Sequence, residues 1–428
     1  MPISRRTLLE TGLKTGALFS TAPVLLERAA APQQRKLPGP FDALKPIRNR
    51  IRPITTEEFQ ARIQRAQQLM TDARPAFAAL YLTPGSSLYY STGIRWALSE
   101  RLLALVIPRK GEPVIVCPAF EEARLRELLR WPIEVHAWQE DEDPAALVAK
   151  WLAERGIRTG RIGIEETTRF TFFDALRRAA PSLEYASGDA VTIGCRARKT
   201  PHELELMRLA CEATYDVFRA VFASLREGMT DREIAALVTQ GFQRMGLSGE
   251  ALVLLGPWAA RPHGTTQPQK LVEGAVVLID GGTSVESYAS DVTRCAVLGR
   301  PSDKLRRAFD TVRKAQEAAL QAAQRGRWSG SVDDAARAIV TAAGYGTNYQ
   351  LFTHRLGHGI GLDGHEHPYL VRGSKTVLEP GMTFSNEPGI YVPGEFGVRL
   401  EDDMVIAEDG PARLLTPALS ESLEKPVG

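Results

Sequence analysis

Apolar positions fall into a helical rhythm and then short strand-length runs soon after residue 53. Phe59, Ile63, Ala66, Leu69 and Met70 recur at helical spacing and predict a helix over 55–73. Ala78–Leu82, Leu103–Pro108 and Val114–Val116 are apolar runs of strand length, with helices predicted over 120–130, 144–156 and 172–179. Such alternation predicts an α/β domain over 53–190. Tyr89, Tyr90, Arg95 and Trp96 read as part of a loop with ordinary packing roles.

A second block begins near Arg196 and runs to 428. Thr200-Pro201-His202-Glu203 is a capping box with proline at the first helical position, opening a long helix that is stopped by Gly228. Thr230-Asp231-Arg232-Glu233 opens another, ending near Gly246. The same grammar returns about a hundred residues later. Leu305, Phe309, Val312, Ala319 and Ala323 line a helix, Gly326 and Gly330 break it, and Ser331-Val332-Asp333-Asp334 caps the next, which ends at Gly344. Helix–cap–helix followed by strand-like, glycine-rich sequence therefore occurs twice. The repetition predicts a pseudo-symmetric domain with its site between the halves.

Charge adds a leader to this picture. The 428 residues carry a formal +2, but residues 1–52 hold ten Lys and Arg against three acids, so residues 53–428 carry −5. A folded body of that sign lacks the clustered basic face of a nucleic-acid binder. Ser4-Arg5-Arg6, a short apolar stretch over 16–26 and Ala29-Ala30-Ala31 resemble a twin-arginine export signal over 1–31. Residues 32–52 read as a basic, proline-rich, solvated linker. The expected location is periplasmic or secreted, with the cytoplasm as the alternative, and no apolar run is long enough to span a membrane. Cys117, Cys195, Cys211 and Cys295 lack metal-type spacing and read as buried free thiols, though sequence leaves pairing open.

The chemistry gathers late in the chain, where five of the seven histidines lie. Val276–Ile279 is a buried strand ending at Asp280, followed by Gly281-Gly282 as a turn, and the return segment holds Asp291. Such a hairpin brings Asp280 and Asp291 face to face, an arrangement that needs a neutralising cation. Thr353–Pro368 packs His354, His358, His365 and His367 into fourteen residues, among glycines that let backbone and substrate approach closely. Met382–Tyr391 places Glu387 after an apolar strand, and strand alternation sets Arg399 and Glu401 on one face. Two Asp, two Glu and one His suit a two-ion site with mostly oxygen donors, favouring Mn²⁺ or a similar ion.

These segments together resemble the pita-bread metallopeptidase superfamily of creatinase, prolidase and aminopeptidase P, over essentially the whole chain after residue 53. The run Gly359-Ile360-Gly361-Leu362-Asp363-Gly364-His365-Glu366-His367-Pro368 is similar to that of prolidase. The resemblance implies an α/β creatinase-like N-terminal domain over 53–190 and an α+β pita-bread catalytic domain over 196–428, with an internal pseudo-two-fold duplication. It implies Asp280, Asp291, His358, Glu387 and Glu401 as ligands of two divalent ions, with Asp291 and Glu401 bridging them. Mn²⁺ is expected there, with Co²⁺ or Zn²⁺ as alternatives. His263 and His365 are implied to bind substrate and stabilise the oxyanion, and His354 to stand near the ligands. Glu387 is implied as proton shuttle, and Arg399 as orienting Glu401 or an acidic neighbour. The implied activity is hydrolysis of Xaa-Pro bonds in short peptides by a metal-bridged hydroxide, in a homodimer. Dipeptidase and aminopeptidase remain open. The alternatives are another amide or amidine hydrolase of creatinase or ectoine-hydrolase type, and a non-catalytic peptide-binding module.

Overall fold

The structure, a computed structural model, describes residues 37 and 39–427. The leader expected over 1–31 lies outside the described residues. Residues 39–52 differ from the solvated linker expected of them. Two 3₁₀ turns, Gly39–Ala43 and Arg48–Arg50, flank a segment in which Leu44 and Ile47 are buried, and the first turn buries Phe41. The Phe41 ring reaches Gly241 of the helix Asp231–Arg244, while Arg50 and Arg52 pair with Glu212 and Glu205 of the helix Pro201–Phe222. Apolar residues three apart within a basic stretch make this a strap. Exposed ion pairs of this kind add little beside the burial of a phenylalanine.

The N-terminal domain is built on a six-stranded mixed sheet. Its order is Glu134–Trp138, Val114–Pro118, Ala104–Pro108, Phe77–Leu82, Arg161–Ile164, Glu184–Ser187. Helices cover both faces, so central strands are apolar on both sides and read as continuous runs. Leu80, Leu82, Leu105 and Ile107 pack into one core with Ile63 and Met70 of the helix Thr56–Asp72. Ala79, Tyr81, Ala104 and Val106 pack into the other with Trp151 and Leu176. The flanking strands at 134–138, 161–164 and 184–187 are partly exposed and lack that signal. Tyr89 and Tyr90, expected in a loop, lie on a short helix, Ser86–Thr92.

The C-terminal domain repeats one plan. Helices Pro201–Phe222 and Asp231–Arg244 precede an antiparallel sheet of Gly249–Leu255, Val276–Val285 and Val292–Val297. Helices Asp303–Ala322 and Ser329–Ala342 precede a second antiparallel sheet, ordered Glu366–Leu370, Gly357–Gly359, Thr383–Asn386, Asp402–Val405, Arg413–Leu414. A bridge between Thr293 and Glu401 joins the two sheets. Both expected capping boxes, at Thr200 and Thr230, are present. The third cap differs: the helix starts at Ser329 after Trp328, and Ser331 lies inside its first turn. Gly330 belongs to that turn because a Cβ there would meet the Ser374 backbone at 2.8 Å.

Gly281 and Gly282 differ from the turn expected of them. They lie within the strand Val276–Val285, and the chain reverses at Glu286–Ser287, both with positive φ. A Cβ on Gly281 would stand 2.2 Å from the Glu250 carbonyl oxygen, and one on Gly282 2.0 Å from that of Ser290. The glycines therefore let neighbouring strands close on the Asp280 and Asp291 backbones. Gly282→Ala is expected to cost roughly 1–3 kcal/mol by overpacking, read as a lower urea midpoint. An unchanged midpoint would contradict the close approach.

Buried polar contacts tie the two domains together. Arg62 donates to Glu203 at 3.1 Å and to the Tyr288 hydroxyl at 2.7 Å, and Tyr288 donates to Glu203 at 2.6 Å. Arg196 and Lys199 hold Glu366, while Ser86 and Arg196 hold Asp363. These contacts set the 360–365 loop, which carries His365, and the strand Glu366–Leu370 that follows it.

Candidate metal centre

The bridge between the two sheets brings the acidic residues together. Asp280 pairs across the hairpin with Thr293, so Asp291, two residues earlier on the same face, reaches Asp280 diagonally. The two carboxylates meet as expected, within 4.8 Å, but across a diagonal, because Thr293 is the residue opposite Asp280. Its hydroxyl lies 2.8 Å from Asp280 Oδ1 and 2.6 Å from Glu401 Oε2. One hydroxyl proton cannot serve two ionised carboxylates.

Side-chain donor atoms of Asp280, Asp291 and Glu401 lie within 4.8 Å of one another, as do those of His358, Glu387 and Glu401, and of Asp291, His358 and His365. His358 Nε2 stands 3.2 Å from Glu387 Oε1, 3.9 Å from Asp291 Oδ2 and 4.0 Å from Glu401 Oε1. His358 is fixed by its own ring: Nδ1 approaches the Gly359 carbonyl at 3.1 Å, leaving Nε2 for the centre. His365 stacks on His358 with ring centroids 3.6 Å apart. A cleft of about 830 Å³, lined in part by Thr239, Gln243 and Glu250, opens onto Asp280 and Asp291.

The electrostatics of the cluster call for cations. Burial pushes Asp291 and Glu401 well above the ordinary carboxylate range, and the neighbouring carboxylates push them the same way. Glu387 behaves oppositely. Burial pushes it up, but the His358 hydrogen bond and the charges of His354, His358 and Arg399 outweigh it and hold the carboxyl at about 2. Arg399 is the guanidinium nearest the cluster, and it is engaged with Asp280, Thr293 and Tyr391. Of the two partners expected for Arg399, the structure thus selects an acidic neighbour, Asp280. Four carboxylates against one committed arginine, with imidazole and no thiolate among the donors, fit divalent ions of first-row type.

The other histidines separate. His354 Nε2 lies 2.7 Å from the Tyr391 hydroxyl and Nδ1 2.8 Å from the Arg355 carbonyl. Burial lowers its pKa, and Arg399 and His263 act in the same direction. His263 is exposed in the loop after the 3₁₀ turn Gly256–Ala260 and makes no hydrogen bond among the described residues. His367, without a role in the sequence, faces Glu166 of the N-terminal domain at 3.9 Å.

Sequence reasoning missed Thr293, Tyr391 and Asp403. Asp403 Oδ2 accepts the Asp291 backbone N–H at 3.0 Å and the Cys211 thiol at 3.3 Å. Burial pushes its carboxyl up to about 7. Alternation from Asp291 would have found Thr293, but no local pattern marks Tyr391. All four cysteines are free and buried, as expected.

Comparison with known proteins now bears on this centre. Residues 205–408 match the model of metallopeptidase family M24, and residues 62–198 match the creatinase/prolidase N-terminal domain. An Xaa-Pro dipeptidase of Lactobacillus helveticus is 37% identical over 81% of this chain and 95% of its own length. The chain belongs to metallopeptidase family M24. Dipeptidase PepE of Mycobacterium ulcerans superposes with a TM-score of 0.81 at 34% identity, over 88% of this chain and all of that one. A recombinant prolidase of Thermococcus sibiricus gives 0.76 at 32% identity, over 84% of this chain and 97% of that one. The M24 membership agrees with the creatinase-like domain, the pita-bread architecture and a metal-dependent peptidase activity.

Proposed function

We propose that this M24 peptidase is an Xaa-Pro dipeptidase with two divalent ions at Asp280, Asp291, His358, Glu387 and Glu401. The carrying observation is that three donor groups overlap into one cluster, Asp291, His358 and Glu401 each belonging to two of them. The names of the similar dipeptidase and prolidase relatives support the substrate. The oxygen-rich donor set supports Mn²⁺ over Zn²⁺ or Co²⁺.

When bound, the ions supply Lewis-acid activation of water and of the scissile carbonyl. Glu387, ionised at neutral pH, takes the proton of the attacking water and returns it to the leaving amide nitrogen. Burial and the neighbouring His358 keep His365 largely neutral, so one ring N–H remains to donate to the developing oxyanion. His263, on its exposed loop, is assigned to hold the leaving residue. Arg399 and Thr293 fix Asp280, and the Tyr391 hydroxyl holds His354 beside Glu387.

The working form proposed is a homodimer, by analogy with the family. The Arg5-Arg6 leader supports twin-arginine export to the periplasm or beyond. No described helix is long and apolar enough to cross a membrane.

With Mn²⁺ added, Ala-Pro and Leu-Pro are expected to be hydrolysed and Ala-Pro-extended peptides spared, followed by amino-acid release. Trimming of the longer peptides would make it an aminopeptidase, and failure to cleave any Xaa-Pro bond would overturn the substrate assignment.

A further inference from the structure

A cavity of about 420 Å³ lies in the N-terminal domain, away from the metal ligands. It sits at the carboxyl ends of the neighbouring parallel strands Arg161–Ile164 and Glu184–Ser187, where open α/β sheets commonly take ligands. Its walls combine two chemistries. Phe170, Phe173 and Tyr185 form an edge-to-face aromatic chain, with centroids 6.1 and 5.7 Å apart. Phe170 is 74% exposed, so its ring face is open to a ligand. The acids are Glu165, Glu166 and Asp189, and no Lys or Arg lines the cavity.

Glu165 is only 4% exposed, yet its Oε2 has no hydrogen-bond partner. Asp189 Oδ1, in the same lining, is also buried and unpartnered. Buried polar atoms normally find partners, and leaving one without costs free energy. At the border, Arg169 donates to the Ser99 carbonyl, while Arg196, whose charge reaches Glu165, is held by Asp363 and Glu366 with its Nε left unpartnered. Two unpartnered oxygens, Glu165 Oε2 and Asp189 Oδ1, beside exposed aromatic faces call for a cation on an apolar body, which would favour the ionised Glu165 against the burial that raises it. The ammonium serves the carboxylates, and the aromatic rings take the hydrocarbon and share the charge.

We propose that this cavity is a second binding site, specific for a small amphipathic ammonium compound such as an arylalkylamine. Glu166, on its rim, faces His367 two residues beyond His365, so an occupied site touches the segment that carries a catalytic histidine.

The probe is 2-phenylethylammonium, titrated by calorimetry into the full-length, metal-loaded enzyme at pH 7. Saturable binding is expected, weakened about tenfold or more in Glu165→Gln and in Phe170→Ser, and unchanged in Glu387→Ala. Phe170 is exposed, so its variant remains informative where the buried Glu165 change disturbs folding. The neutral isostere 2-phenylethanol is expected to bind at least about tenfold more weakly. The site is overturned by absence of saturable binding, by equal binding of the alcohol, or by full binding to Phe170→Ser. Loss of binding in Glu387→Ala would equally overturn it, because the amine would then be occupying the peptidase centre.

Discussion

Glu387→Ala is expected to abolish peptide hydrolysis, lowering kcat by at least about 10³-fold, in the range that loss of a positioned acid–base group produces. The change removes a proposed metal ligand and the proton carrier together. Glu387→Gln separates the two roles, because the amide keeps an oxygen of the right size but cannot accept the proton. It is therefore expected to be nearly as inactive while retaining part of the metal. The fold should survive either substitution. Loss of the Glu387 carboxylate forfeits the pairing with His358 that holds it at about 2, but relieves the repulsion by which it pushes Asp291 and Glu401 up. Circular dichroism and a melting temperature within a few degrees of the parent check this. A purified alanine variant retaining a tenth of the parent kcat would end the assignment.

Much of the centre is legible in the chain because its chemistry is locally dense. Four histidines within fourteen residues, spaced by glycine, have few uses other than a site, and the structure sets His358 and His365 ring on ring. The helices are equally plain, since capping boxes at Thr200 and Thr230 are self-contained signals. What escaped depends on contacts distant in sequence. Gly281 and Gly282 look like a turn until Glu250 and Ser290 are seen against them. Ser331 looks like a cap until the Ser374 backbone is seen against Gly330. Phe41 looks solvated among prolines and arginines until the helix bearing Gly241 receives it. Tyr391 carries no local mark, because its partners His354 and Arg399 lie 37 and 8 residues away. Periodicity and capping report a segment's own preferences, and these residues are set by their neighbours in space.

Chelation is expected to abolish activity, with Mn²⁺ restoring it, and to make stability depend on pH in a direction the cluster dictates. Asp403, buried, titrates at about 7 against an ordinary value of 3.8, and burial with mutual repulsion raises Asp291 and Glu401 as well. Between pH 4 and those raised values the folded, metal-free chain binds more protons than the unfolded chain, so its stability falls as pH rises. His358 acts in the same sense. Burial pushes it down, but Glu387 and Asp291 raise it overall, and that stabilisation is lost as pH climbs through its folded value. Glu387 works oppositely and only in acid: held at about 2, it stabilises the fold above its ordinary value of 4.5, and that contribution is lost below it. The stripped protein should therefore be most stable near pH 4–5. Asp403 alone accounts for on the order of 4 kcal/mol across its window. Bound cations reverse the balance, because they favour the ionised carboxylates and bind more tightly as those deprotonate. The gap in melting temperature between loaded and chelated enzyme is thus expected to widen steadily from pH 5 to pH 8. A gap independent of pH would mean that Asp291 and Glu401 do not carry the metal, and a stripped protein as stable at pH 8 as at pH 5 would mean that burial does not raise them and Asp403.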